Sequence, residues 1–291
     1  MRELWDINVE KAFFNDALKL VRPEQLFYKT DTGQHLAYWP KTYKGVKNTL
    51  QSRNSFIGSY TEKWATELIQ EVVQKQGLFA VQGAVCNEIG LSNRSAADVA
   101  ITKVNNVIQK PSDIVAIFEV KMSIAWNWEL DTASADINLA CIGDYNTHRG
   151  TPSVLRSDSM LKAIGKSILI KVVRPNVPII ILGNTPITPS YYSKVDHLME
   201  SGVIQGFWSV NPKPLDKDND LINIKNTPKK GFHRFDSFDE FANSINLLIA
   251  SESNFFSSQK TNAELGRLIE IANREETYEK KAEVFLRLIK K

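Results

Sequence analysis

The order of patterns between residues 59 and 183 constrains this chain more than any single motif. An amphipathic stretch comes first. Tyr60, Trp64, Leu68 and Val72 recur at helical spacing, joined by Ala65 and Ile69. The spacing predicts a helix over 59–76, and Gly77 stops it. Three short apolar runs follow, at 78–86, 96–104 and 114–121, the last rich in β-branched residues. Their connections are short, which favours an antiparallel meander. A helix is then predicted over 154–173, with Leu161, Ile164, Ile168 and Val172 on one stripe. A buried strand at 177–183, a helix at 190–201 and a strand at 203–210 complete the series. The expected fold class is α/β (α+β), with a mixed central sheet flanked by helices and with helical N- and C-terminal additions.

The flanks are less regular. Residues 1–55 mix short helical patterns with turn signals, including the aromatic run HLAYWP at 35–40. Residues 211–231 crowd Pro, Asn, Asp and Lys and lose apolar periodicity, so they read as a linker. Helical patterns return at 237–250 and over 261–291, with an interruption near Asn273. The expected organisation is an N-terminal flank (1–55), a core (56–210) and a linker with a mainly helical C-terminal region (211–291). No internal repeat is visible.

Composition narrows the function classes. The 291 residues are 43% hydrophobic and 24% charged, as in a globular protein, which excludes disordered and collagen-like chains. No apolar run approaches the ~20 residues of a membrane span, so no membrane partner is expected. Residues 1–20 hold no continuous apolar block, and no signal peptide is expected. Two cysteines form neither a disulfide framework nor a zinc site, which fits a reducing, cytoplasmic location. The net charge of +3 permits a nucleic-acid partner without arguing for one. The four histidines form no zinc motif, and neither a P-loop nor G-x-G-x-x-G occurs, so no nucleotide cofactor is expected.

The third strand run ends in Phe118-Glu119-Val120-Lys121. Glu119 and Lys121 are two apart, so on a strand both side chains share a face. The second run carries one acid, Asp98, after the small residues Ser95, Ala96 and Ala97. If these strands pair through a loop near 105–112, Asp98 lies toward the end that holds Glu119. Two hard oxygen donors without sulfur or histidine suit Mg²⁺. A magnesium ion lowers the pKa of its bound water and steadies charge on a phosphoryl oxygen. Lys121 would orient that water or offset charge at phosphorus. Glu62 adds a third acid. It stands in a capping-box position after Ser59, and also in line with Ala65, Ile69 and Val72 at the edge of the buried stripe.

A helix with Glu62, three strands carrying Asp98 and Glu119-Val120-Lys121, then a helix and a strand resembles the PD-(D/E)XK nuclease superfamily. Its common core is αβββαβ, the order read here over 59–183. In size and in its flanks the chain resembles the type II restriction endonucleases. The resemblance implies that Asp98, Glu119, Val120 and Glu62 serve the metal, and that Lys121 is the catalytic lysine. It implies Mg²⁺ as cofactor, and 5′-phosphate and 3′-hydroxyl products. Ala97 precedes Asp98 where the motif has proline. The expected function is therefore site-specific hydrolysis of double-stranded DNA. A repair or junction nuclease of the same fold, or a DNA-binding module without catalysis, are the alternatives.

Recognition requires donors for phosphates and readers of base edges. Residues 122–153 show no clear periodicity and would form an insertion beside the active site. Trp126, Asn127 and Arg149 within it are candidate DNA contacts, as are Asn93 and Arg94 in the loop 87–95. Arg156, Lys162 and Lys166 open the following helix, whose N-terminal end could meet a phosphate. The helices of 261–291 offer a dimer contact, and a homodimer would suit a palindromic site.

Overall fold

The computed structural model describes residues 2–47, 50–132, 138–214, 224–250 and 262–289. In chain order its elements are α1 (Ile7–Leu18), α2 (Pro23–Leu26), β1 (Tyr28–Lys29), β2 (His35–Leu36), α3 (Gln51–Val73), β3 (Phe79–Ala84), β4 (Ala97–Thr102), β5 (Ile114–Val120), β6 (Asn127–Asp131) and β7 (Asn138–Gly143). These are followed by α4 (Ser157–Val173), β8 (Ile179–Gly183), α5 (Tyr192–Glu200), β9 (Gly206–Ser209), β10 (Phe232–Arg234), α6 (Phe238–Ala250), α7 (Asn262–Ala272) and α8 (Tyr278–Ile289).

A six-stranded mixed sheet runs in the order β10-β9-β8-β5-β4-β3. Strands β3, β4 and β5 form the expected antiparallel meander. Beyond it, β8, β9 and β10 add in parallel. Parallel neighbours need crossovers, and α4 supplies the one from β5 to β8 and α5 the one from β8 to β9. The fold is thus mixed α/β, with helices flanking a mixed sheet.

Helix α3 packs on one face. Ala65, Leu68, Ile69, Val72 and Val73 are all buried against Val99, Ala116, Phe118 and Leu182. Each larger aliphatic side chain contributes roughly 1.5–3 kcal/mol by leaving water. A short 3₁₀ turn continues the helix to Gln76, and Gly77 ends it at φ 69°, the left-handed region that glycine enters at little cost. The helix begins eight residues before the expected start. Ser59 therefore lies in its interior, and Ser59-x-x-Glu62 is not a capping box.

Helix α4 covers the opposite face, and here the expected stripe is corrected. Leu161, Ile168 and Val172 are exposed, while Met160, Ala163, Ser167, Ile170 and Lys171 are buried. Apolar residues occupy both sides of this helix, so periodicity alone did not select the inward one.

The flanks are integrated with the core. Trp5, Phe13 and Phe14 from the N-terminus and Phe235, Phe241 and Ile245 from α6 join the cluster beneath α3. The sheet itself passes the expected boundary at 210 through β10. Residues 122–153, whose sequence shows no clear periodicity, supply β6 and β7. They join β1 and β2 in a second, antiparallel four-stranded sheet. The N-terminal flank is therefore not solely helical. Part of the expected linker, residues 215–223, lies outside the described residues. The interruption near Asn273 is real and separates α7 from α8. No helix among the described residues is long and apolar enough to cross a membrane.

Candidate active site

The antiparallel register pairs Val99 with Phe118, so the next residues outward, Asp98 and Glu119, lie on the sheet face opposite α3. This is the face that α4 covers. Glu119 is almost wholly buried, its side chain only 2% exposed. Asp98 and Lys121 sit at the rim.

The end of the β4–β5 ladder is closed by a side chain. Asp98 Oδ2 accepts hydrogen bonds from Val120 N and from Lys121 Nζ, both at 2.8 Å. Lys121 Nζ also reaches Glu119 Oε2 at 3.3 Å and donates to the Val120 carbonyl at 3.1 Å. The same-face relation of Glu119 and Lys121 thus holds in three dimensions.

A second ammonium comes from α4. Lys166 Nζ stands 2.5 Å from Glu119 Oε1 and 3.8 Å from Asp98 Oδ1, and donates to the Ala96 carbonyl. The approach to Glu119 Oε1 is an ion pair rather than a well-directed hydrogen bond, and that oxygen is otherwise unpartnered among the described residues. Sequence reasoning placed Lys166 at the start of this helix as a phosphate contact and did not pair it with Glu119. The usable signal was its position between Ala163 and Ile170, one turn from each on the buried side of α4.

The electrostatics follow from burial. Burial raises the Glu119 carboxyl above its usual range and Asp98 adds repulsion, while Lys121 and Lys166 pull it back in part. Burial alone would lower the Lys121 ammonium, but the Asp98 and Glu119 charges together outweigh it and hold Lys121 protonated. Two carboxylates and two ammoniums balance in a low-dielectric cluster.

Glu62 stands apart. It is half-buried and accepts a hydrogen bond from Gln82 Nε2 at 3.3 Å. Burial raises its pKa, and the Asp98 charge raises it further, so the two carboxylates sense each other. No three His, Cys, Asp or Glu side chains among the described residues are grouped closely enough to hold a metal by themselves. The donor set fits Mg²⁺ nonetheless. Asp98, Glu119 and the Val120 carbonyl offer hard oxygens at one place, and Glu119 Oε1 has the Lys166 ammonium alone beside it among the described residues. Magnesium commonly takes one or two carboxylates and completes its shell with water and phosphate.

No protein-family model, no curated protein and no solved structure matches this chain.

The recognition candidates divide. Asn93 and Arg94 are exposed in the turn before β4, and Arg149, Arg156 and Lys162 are exposed near α4. Arg149 is fixed by hydrogen bonds from Nε and Nη2 to the Lys41 carbonyl, at 3.2 and 2.9 Å. Arg156 pairs with Asp158 at 2.6 Å. Trp126 and Asn127 are corrections. Both are buried, at 3% and 2% exposure. Asn127 Oδ1 accepts from Tyr38 N at 2.8 Å, which ties β6 to the segment after β2. These polar and aromatic groups serve packing and cannot meet a base edge.

Sequence reasoning also missed Glu10. This wholly buried carboxylate accepts from Trp5 Nε1, Ala125 N, Trp126 N and Trp128 Nε1 at 2.6–3.2 Å. It pins α1 to the segment that leaves Lys121. Burial pushes its pKa up to about 7, against the lowering effect of those four donors.

Proposed function

We propose that the chain is a Mg²⁺-dependent endonuclease that hydrolyses double-stranded DNA at a specific sequence, in the manner of a type II restriction enzyme with a PD-(D/E)XK core. The observation that carries this reading is the juxtaposition of Asp98, Glu119 and Lys121 at the end of two adjacent antiparallel strands. Supporting it are the element order α3-β3-β4-β5-α4-β8 and the parallel pairing of β5 with β8.

Hydrolysis joins a water oxygen to phosphorus and breaks the bond to the 3′ oxygen, leaving 5′-phosphate and 3′-hydroxyl ends. Mg²⁺ held by Asp98, Glu119 and the Val120 carbonyl would supply Lewis-acid polarisation of the phosphate and a more acidic water. Lys121 remains protonated beside that place and offsets charge that builds on the phosphoryl oxygens. Asp98 aims it by accepting at 2.8 Å. Lys166 opposes the effect of burial on Glu119. Glu62 adds negative potential at the edge, its carboxylate steadied by Gln82. A homodimer belongs to the proposal, because a two-fold site needs two reactive centres.

A second reading is a DNA-binding scaffold without hydrolysis. It draws on the balance of two ammoniums against the two carboxylates, which leaves the cluster neutral. Supercoiled plasmid separates the two. The nuclease linearises it or cuts it to discrete fragments with Mg²⁺ and not with EDTA, whereas the scaffold retards it on a gel and leaves it intact.

A further inference from the structure

Beside Lys121 a cleft of about 730 Å³ opens between the start of α3, the segment after β2, and the loop before α4. It is continuous with the reactive cluster, since Lys121 and Val120 form part of its wall. Lys47, Arg53, Lys121, Arg149 and Arg156 line it, and among the described residues no Asp or Glu does, although Arg156 pairs with Asp158 and Lys121 with Asp98 and Glu119. A concavity lined by basic groups concentrates anions.

Arg53 decides what kind of anion. It is buried at 4% exposure in the wall of the cleft. No carboxylate among the described residues pairs with it, and its Nε has no hydrogen-bond partner. Its Nη1 donates only to main-chain carbonyls, those of Ala37 and Leu26. A buried cation without a counter-charge is costly, so an anion brought by a ligand fills a real deficit.

The same guanidinium lies over two aromatic rings, 4.8 Å from the Tyr28 centroid and 4.9 Å from that of Tyr38. Tyr28 stacks on Trp39 at 4.8 Å. Tyr28, Tyr38 and Trp39 all line the cleft, beside the apolar Leu50, Ile57 and Met122. Tyr38 also stacks on His148 at 3.9 Å and Trp39 on Tyr43 at 4.4 Å, so a base would meet this wall at its ring edges and at the apolar side chains. Cations beside aromatic and apolar groups are the chemistry that holds unpaired bases and their phosphates. The volume is that of a small-molecule site, roughly 300–1,000 Å³. A cleft of that volume takes a nucleotide and not a base-paired duplex.

We propose that this cleft takes one unpaired nucleotide of the DNA strand, its phosphate toward Arg53 and Arg149 and its base against the Tyr28, Tyr38 and Trp39 wall. The inference rests on DNA being the substrate, and adds that a nucleotide must leave the duplex to occupy the cleft.

The test is binding in EDTA, where hydrolysis plays no part. Fluorescence anisotropy would follow a short labelled single strand, a fully paired duplex, and a duplex with one bulged nucleotide. The single strand and the bulged duplex should bind about tenfold more tightly than the paired one. Tyr28→Ala and Arg149→Ala, changes at a half-buried and an exposed position, should each weaken the single strand about tenfold. A deoxynucleoside 5′-monophosphate should displace it, and inorganic phosphate should do so far less well. Equal displacement by phosphate would leave an anion site and overturn the base-binding half. Unchanged binding by both variants would overturn the whole inference. A chain that cuts plasmid with Mg²⁺ yet shows no preference for the bulge refutes the cleft inference alone. One that shows the preference but cuts nothing refutes the nuclease reading alone.

Discussion

Lys166 Nζ approaches Glu119 Oε1 to 2.5 Å, closer than the 3.3 Å at which Lys121 holds the other carboxylate oxygen. Helix α4, which covers this face of the sheet, thus supplies the nearer counter-charge. Lys166→Ala would leave Glu119 Oε1 buried with no cation beside it. Glu119, already raised by burial, should titrate higher still. The expected outcomes are a loss of about 1–3 kcal/mol in unfolding free energy and a pH–rate profile displaced toward alkaline pH. Lys166→Arg should restore part of both. Urea melts and rates measured across pH check this, and an unchanged profile would remove Lys166 from the site.

Asn127→Ala separates packing from recognition. The variant loses the buried acceptor for Tyr38 N and leaves that amide without a partner. A destabilisation of about 1–3 kcal/mol is expected, with the cleavage pattern unchanged. A changed pattern at wild-type stability would return Asn127 to the DNA interface.

Two buried groups oppose each other across one pH window. Burial raises Glu10 from 4.5 to about 7, so the folded state holds a proton the unfolded chain has lost, and stability falls as pH rises through that range. Burial depresses His148 from 6.5 to about 4, so the unfolded chain holds the extra proton, and stability rises with pH over nearly the same range. Each contribution is of order 3 kcal/mol, and together they flatten the wild-type curve. Glu10→Gln should unmask a rise in stability from about pH 4 to 6.5. His148→Phe should unmask a fall from about pH 4.5 to 7. Parallel pH profiles of urea unfolding for all three proteins would show neither group to be shifted.

The sheet was legible because its strands are short apolar runs between turn signals, and their order held at β3, β4, β5, β8 and β9. Asp98 and Glu119 were legible for the same reason, since strand parity places each on a face and the short loop sets the register. The start of α3 was not. Ser59 and Glu62 imitate an N-cap, while the true first turns hold Arg53 and Ile57, whose burial depends on the distant aromatic segment. Lys166 and Arg53 escaped because long basic side chains carry charge away from their own backbone, and only the tertiary neighbours show where it ends. Asn127 was misassigned because an amide that caps a remote backbone N–H looks the same in sequence as one that reads adenine.

Digestion of mixed plasmid and phage DNA by the wild type and by Lys121→Ala, each with Mg²⁺ and with EDTA, tests the proposed hydrolysis directly. Discrete bands from the wild type with Mg²⁺ alone, none from Lys121→Ala, and retained DNA binding by that variant are the predicted result. Intact DNA from the wild type with Mg²⁺, or full cleavage by Lys121→Ala, would contradict it.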